Sequence, residues 1–78
     1  MAQRVLLTAT ARRRHGVNKA NALAAMRHSG VPTIQENGSI LFVGRDTKGR
    51  LTEVAVIAAA EDDELLVIIH AMPLEWTR

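Results

Sequence analysis

Three apolar runs of strand length in the second half of the chain constrain the fold more than any other feature. They cover residues 40–45, 51–59 and 65–72. Short segments of turn-forming residues separate them, and consecutive strands joined by tight turns must be antiparallel. The run 65–72 is the most hydrophobic and is therefore predicted to be central in the sheet. Pro73 is expected to end it, because proline cannot donate to the ladder.

The segments between these runs predict the turns. A short additional strand is expected at 33–35, and Asn37-Gly38 follows it. Asn-Gly favours a type I′ hairpin turn, in which both central residues have positive φ. Segment 46–49 predicts a second turn, and its final glycine can supply a bulge. The acidic segment 61–64 is interpreted as a solvated turn, with contact to a basic partner as the alternative.

The first thirty residues show helical spacing instead. A first helix is predicted over residues 4–15, ending at Gly16, which tolerates the left-handed conformation of a C-terminal cap. A second helix is predicted over residues 18–28 and begins with an asparagine cap. Gly30 and Pro32 prevent it from continuing.

The predicted fold class is therefore α+β, with two N-terminal helices packed on a four-stranded antiparallel β-meander. A chain of 78 residues fits one small domain, spanning residues 1–78. It contains no cysteine, which excludes disulfides, cysteine-ligated zinc and a cysteine nucleophile. A domain this small often gains stability from a partner or a second copy of itself, so a homo-oligomer is one expectation.

Targeting signals are not evident in the sequence. No run approaches the roughly 20 apolar residues that span a bilayer. The apolar stretch 5–7 is too short for the core of a signal peptide. A cytoplasmic protein without membrane contact is expected.

Charge is distributed unevenly between the two halves. Residues 1–35 contain six basic and no acidic residues, whereas residues 36–78 contain eight acidic and four basic residues. Such asymmetry is consistent with a surface that faces a polyanion. The alternative is that the two halves neutralise each other across the fold.

Basic residues cluster at the end of the first predicted helix, in Arg12-Arg13-Arg14-His15. Three successive arginines span about 200° of a helix, so they cannot all face one ligand. Two of them, with neighbouring cations, could still bind phosphate, because the guanidinium donates two parallel hydrogen bonds. The alternative is a solvated helix end that the helix dipole favours.

Two further residues could carry chemistry. Strand alternation places His70 on the same face as Leu66 and Ile68, where a well-held imidazole could act as acid or base. A hydrogen-bonded histidine at the core margin is the alternative. Glu53 lies in an apolar strand and needs a partner if that face is buried. If the face is solvated, Glu53 needs no partner and does not indicate a functional site.

The segment Arg13-Arg14-His15-Gly16-Val17 resembles the "KHGV" helix junction of BrnT-type toxins, which belong to the broader RelE-like group. The run 66–72 is similar to that family's "IRIISAR" strand, and the order of elements matches over residues 4–74. The resemblance implies a ribonuclease toxin that pairs with a cognate antitoxin protein. Val67 and Met72 stand where the family's strand carries arginines. A non-catalytic module of the same fold, binding protein or nucleic acid, is therefore the alternative.

Metal-free RNA cleavage needs a base for the ribose 2′-hydroxyl, a cation near the phosphate and an acid for the leaving oxygen. The sequence contains no glycine-rich phosphate loop, paired-histidine metal spacing or nucleophile elbow, so neither a metal nor a cofactor is expected. The predicted catalytic residues are His70, His15 and Glu53. The predicted phosphate-binding residues are Arg12, Arg13, Arg14, Lys19, Arg27 and Arg45.

Overall fold

Strands dominate the described part of the protein, and its first element is a strand. A computed structural model describes residues 4–59 and 62–74, apart from the side chains of residues 62 and 63. The elements in chain order are β1 (Arg4–Leu7), α1 (Ala9–His15), α2 (Lys19–Arg27), β2 (Thr33–Ile34), β3 (Ile40–Arg45), β4 (Leu51–Ala59) and β5 (Asp62–Pro73). The predicted acidic turn is replaced by the start of β5 over residues 62–64, and Glu61 lies outside the described residues.

The sheet is five-stranded and mixed, in the order β1-β5-β4-β3-β2. The predicted four-stranded antiparallel meander was wrong, because β1 adds a fifth strand that pairs in parallel with β5. Without β1, β5 would present an unpaired edge. Val5 and Leu7 are half-buried and alternate with exposed neighbours, which is the period of a strand. Strands β2 to β5 pair antiparallel, as predicted.

The first helix is shorter than predicted because Thr8 starts it. The side chain of Thr8 accepts a hydrogen bond from the backbone N–H of Ala11 at 3.1 Å. The N–H of Thr8 also donates to the carbonyl of Ile68 at 3.3 Å, which continues the β1–β5 contact. Gly16 ends α1 at φ 68°, and its N–H donates to Arg12, as the sequence predicts.

The second helix agrees with the prediction at both ends. The side chain of Asn18 accepts from the backbone N–H of Asn21 at 2.9 Å and caps α2. His28 follows the last helical residue. In the described part of the chain, no helix is long and apolar enough to cross a membrane.

Both hairpin turns contain three residues and end in a left-handed glycine. The N–H of Gln35 donates to Ser39, and the N–H of Gly38 donates back to Gln35. Gly38 has φ 87°, but no described non-glycine residue has positive φ, so the predicted type I′ turn at Asn37 was wrong. Gly49, at φ 78°, occupies the same position in the second hairpin and supplies the predicted bulge.

The core lies between the helices and one face of the sheet, here called the core face. Its fully buried residues are Val17, Ala22, Ala25, Val54, Val56, Ile68 and Ala71. Gly44 lets α2 approach this face closely. A Cβ at Gly44 would collide with the carbonyl oxygen of Ala25 and lie 2.7 Å from the backbone nitrogen of Ser29.

The other face of the sheet, here called the open face, follows from the strand register. Directly paired residues share a face, and the partner of a core-face residue therefore also belongs to the core face. The remaining rows form the open face: Arg4 and Leu65; Leu6, Val67 and Ile57; Thr33, Leu41, Ala55 and His70; Val43, Glu53 and Met72; Arg45 and Leu51.

Candidate active site

A β-bulge in β5 decides which way His70 points. Val56 pairs with Ile68, whereas the adjacent Ala55 pairs with His70, so Ile69 is an extra residue. Regular alternation would keep His70 on the face of Ile68, and that prediction was wrong. The inserted residue moves His70 to the open face. Bulges commonly redirect a side chain in this way beside functional sites.

Glu53 is the hydrogen-bond partner of His70. Their Nε2 and Oε2 atoms are 2.7 Å apart, and their side chains are 33% and 24% exposed. The two residues are diagonal neighbours on the open face, since Glu53 pairs with Met72 and His70 pairs with Ala55. An ionised carboxylate only accepts, so Nε2 carries the proton. The Nδ1 atom of a neutral His70 then has the free lone pair.

His15, the last residue of α1, contacts the His70 ring of this pair. The ring centroids of His15 and His70 are 5.7 Å apart, with the planes at 81° in an edge-to-face contact. The fold brings them together because the pairing of β1 stops at Ile68. Beyond that point β5 pairs only with β4 among the described strands, and α1 contacts β5 instead.

The three predicted catalytic residues, His15, Glu53 and His70, therefore form one cluster. They come from α1, β4 and β5, and no sequence motif links them. The sequence indicated each residue separately, but the strand pairing and the bulge assemble them. Among the described residues, no group of three or more His, Cys, Asp or Glu side chains is arranged to hold a metal ion.

The predicted phosphate-binding residues fall into separate groups. Arg12, Arg13 and Arg14 are exposed on α1 immediately before His15. Arg12 also lines a shallow hollow of about 440 Å³ together with Lys19, the first residue of α2. Leu7, Asn18 and Ala20 complete the lining. The hollow thus holds two cations without a carboxylate among its lining residues.

The two remaining cations lie elsewhere. Arg27 is exposed at the far end of α2 from Lys19. Arg45 belongs to the open face, but its Nη1 donates to the carbonyl of Gly49 at 2.8 Å, which holds the guanidinium against its own turn. The structure therefore does not gather all six predicted phosphate-binding residues at one place.

A buried carboxylate at the β3–β4 turn was not predicted from the sequence. Asp46 accepts hydrogen bonds from the backbone N–H groups of Lys48 and Arg50, each at 2.9 Å. The Nε of Arg50 donates to its other oxygen at 3.0 Å. Burial tends to raise the pKa of Asp46, but these donors more than offset it and hold the pKa below its ordinary value. The sequence feature that could have predicted this arrangement is an aspartate at the start of a turn, because its carboxylate can accept from backbone N–H groups of the turn.

A second interaction that the sequence did not reveal joins α2 to the same turn. The side-chain oxygen of the buried Asn21 accepts from the backbone N–H of Thr47 at 3.3 Å and from its hydroxyl. This contact stabilises the hairpin against the helix. It lies at the turn rather than at the histidine cluster, so we assign it a structural role.

Comparison of the chain with protein-family models, with curated proteins and with solved structures found no match. The resemblance to BrnT-type toxins stays a prediction that depends on the sequence motifs alone. Function is therefore inferred from the cluster of His15, Glu53 and His70 and from the cations of α1.

Proposed function

We propose that this protein is a metal-independent, RelE-like ribonuclease. The observation that carries the proposal is the 2.7 Å contact between His70 and Glu53, with His15 at a ring-centroid distance of 5.7 Å. Two imidazoles close together can supply one base and one acid. Histidine suits both roles, because its charge changes between about pH 5 and 8.

His70 is the base in this proposal. Its Nδ1 takes the proton of the ribose 2′-hydroxyl, and the 2′-oxygen then forms a bond to the adjacent phosphorus. The imidazolium that results is stabilised by the carboxylate of Glu53 at Nε2. Glu53 thus positions His70 and fixes its tautomer, rather than acting as the base itself.

His15 is the acid. It donates a proton to the 5′-oxygen as that oxygen leaves the phosphorus, which yields a 2′,3′-cyclic phosphate and a 5′-hydroxyl. Arg13 and Arg14 precede His15 on the same helix and are exposed, so they are available to the phosphate. Guanidinium groups favour the negative charge that accumulates on the phosphate oxygens during attack.

The toxin role follows from the resemblance. A BrnT-type protein acts in the cytoplasm on cellular RNA and is held inactive by an antitoxin encoded beside it. One feature of this chain supports the RNA partner: the helix α1 is basic and exposed, which suits RNA.

Cleavage of a defined RNA by the purified protein in the presence of a chelator tests the proposal. The His70→Ala variant should cut at least about a hundredfold more slowly, the usual effect of losing a general base. His28→Ala is the matched control, since the ring of His28 makes its hydrogen bond to the backbone carbonyl of Arg45, at 3.4 Å, and not to the cluster. Unchanged cleavage by His70→Ala, or complete loss on chelation, would contradict the proposal.

A non-catalytic RNA-binding module is the second candidate function. Arg12, Arg13 and Arg14 are exposed and form no ion pair with a described residue, which leaves them available to phosphates whether or not a bond is cut. Salt-sensitive RNA binding by the wild-type protein, with no cleavage at any pH, would favour this candidate.

A further inference from the structure

The hollow between β1, α1 and α2 has the properties of an anion site. It has a volume of about 440 Å³ and is lined by Leu7, Arg12, Asn18, Lys19 and Ala20. Arg12 and Lys19 are exposed, and neither forms an ion pair with a described residue. The apolar walls that Leu7 and Ala20 contribute have a low dielectric constant, which focuses the field of the two cations into the hollow.

The two cations of the hollow are not neutralised by their surroundings in the sequence. All lining residues belong to the segment 1–35, which contains no aspartate or glutamate. Two like charges at one concave surface repel each other, and an anion bound between them converts this repulsion into attraction. The charge that the hollow lacks must therefore come from another molecule.

Helix α1 connects the hollow to the histidine cluster. Arg12 and His15 are three positions apart, so they are neighbours on the helix surface, with Cβ atoms about 5–6 Å apart. The ring of His15 contacts that of His70 on the open face. Leu7 pairs with the core-face residue Ile68, which places the hollow on the helix side of the sheet. His15 is thus adjacent both to the proposed base and to the hollow.

We propose that the hollow binds the 3′-phosphate of the nucleotide that leaves when RNA is cut, an inference that rests on the proposed ribonuclease function. His15 protonates the 5′-oxygen of this nucleotide, so the nucleotide lies on the side of His15. Its own 3′-phosphate is the next anion along the strand. The protein therefore prefers an RNA that continues beyond the cleaved bond.

The chemistry and size of the hollow suit a nucleotide phosphate. The guanidinium of Arg12 can donate two parallel hydrogen bonds to phosphate oxygens, and the ammonium of Lys19 adds a compact charge. Small-ligand sites have volumes of about 300–1,000 Å³, so a hollow of about 440 Å³ has room for a phosphate with its ribose.

This assignment also divides the three successive arginines of α1 between two phosphates. Successive residues of a helix are about 100° apart around its axis, so the three side chains cannot converge on one group. Arg12 lines the hollow. Arg13 and Arg14 point in other directions and are left for the phosphate at which the chain is cut.

Titration of nitrogen-15-labelled protein with inorganic phosphate at constant ionic strength tests the hollow without any cleavage. The backbone amide signals of Asn18, Lys19 and Ala20 should shift in the wild type and should shift much less in Arg12→Gln. Arg27→Gln is the matched control, because it removes an exposed cation at the other end of α2. Unshifted amides in the wild type, or equal shifts in Arg12→Gln, would overturn the anion site.

Short substrates test which phosphate the hollow binds. A mixture of ribodinucleotides is prepared with a 3′-hydroxyl, with a 3′-phosphate, or with a 5′-phosphate and a 3′-hydroxyl. The 3′-phosphate should raise kcat/KM by about tenfold or more, the effect expected of charge-assisted hydrogen bonds. The 5′-phosphate should leave kcat/KM unchanged.

Variants are compared by the ratio of kcat/KM with and without the 3′-phosphate, which does not depend on the basal rate of each variant. The ratio should fall to about one in Arg12→Gln and should keep its wild-type value in Arg27→Gln. Lys19→Gln removes the other cation of the hollow and takes the place of Arg12→Gln if that variant does not fold.

The outcomes separate this proposal from the proposed function. Equal cleavage of all three substrates by the wild type, or an equal gain from the 5′-phosphate, would leave the ribonuclease function standing and overturn the subsite. If the wild type cuts none of them, the ribonuclease function fails and the assignment to a leaving nucleotide fails with it. The phosphate titration then decides whether the hollow binds an anion at all.

Discussion

His70 donates a hydrogen bond to Glu53 across the β4–β5 ladder, although neither residue is the direct pairing partner of the other. The contact is diagonal, and it exists because an extra residue, Ile69, moves His70 off the core face. On the core face, an imidazole at this position would displace aliphatic side chains and would be out of reach of the carboxylate. The bulge therefore converts a core position into a candidate catalytic one.

Glu53→Gln should change the tautomer of His70. The carboxylate holds the proton on Nε2, and an amide can present either a donor or an acceptor to that atom. Nitrogen-15 spectra of the imidazole should show mainly the Nε2-protonated form in the wild type and a mixture in the variant. RNA cleavage should fall by at least about tenfold, because an incorrectly protonated base cannot accept the proton.

Glu36→Gln is the control for this substitution, since Glu36 is an exposed carboxylate in the first hairpin turn. It should leave both the imidazole spectrum and the cleavage rate unchanged. An unaltered His70 tautomer in Glu53→Gln would show that the 2.7 Å contact does not orient the ring.

Gly44→Ala should destabilise the protein by about 1 to 3 kcal/mol or more, the usual cost of overpacking. The added methyl group would meet backbone atoms of Ala25 and Ser29, which cannot rotate away as a side chain can. Gly30→Ala is the matched control, because no atom lies within 4 Å of a Cβ at that position. Urea denaturation of both variants measures the difference, and equal midpoints would be evidence against the close approach of α2 to β3.

Asp46→Asn should cost about 1 to 3 kcal/mol at neutral pH, because charge-assisted bonds to Arg50 and two backbone N–H groups are weakened. The pKa of Asp46 lies below its ordinary value of 3.8, so its ionised form stabilises the folded state. This stabilisation is fully present above that ordinary value and is lost as the pH falls through the lower pKa of the folded state.

Thermal denaturation as a function of pH checks this linkage. The gap in stability between wild type and Asp46→Asn should be widest near neutral pH and should narrow in acid below pH 3.8. A gap that stays constant down to strong acid would mean that ionisation of Asp46 does not stabilise the fold.

Replacing Arg13 and Arg14 together by glutamine should weaken RNA binding and reduce its salt dependence. For single-stranded RNA, the slope of log affinity against log salt falls by about 0.7 for every phosphate that is no longer neutralised. Arg27→Gln removes a cation that is exposed at the end of α2, away from the candidate site. Fluorescence anisotropy over a salt series should show a smaller slope for the double variant than for Arg27→Gln. Equal slopes would show that the arginines of α1 do not contact RNA phosphates.

Local chemistry in the sequence was enough to locate much of the secondary structure. The spans of β3 and β4 were predicted correctly, because alternating apolar runs end at turns. The extent of α2 was also predicted, since Asn18 caps it and Gly30 and Pro32 follow it. Capping and turn formation depend on residues that are close together in the sequence, so these features could be predicted from short segments.

Long-range pairing was inaccessible to the same reasoning. Residues 4–7 have helical neighbours in sequence, and they form β1 only because β5 offers an edge some sixty positions later. The register that places the bulge at Ile69 likewise depends on β4 and β5 together. Alternation within one strand could not detect it.

Residue types alone therefore determined which groups were candidates for chemistry: two histidines, a carboxylate in an apolar strand and a basic helix end. Tertiary structure decided that His15, Glu53 and His70 meet. The physical reason is that hydrogen-bond and packing contacts between distant segments, unlike capping and turn preferences, depend on strand order and register. Those are properties of the assembled sheet rather than of any one segment.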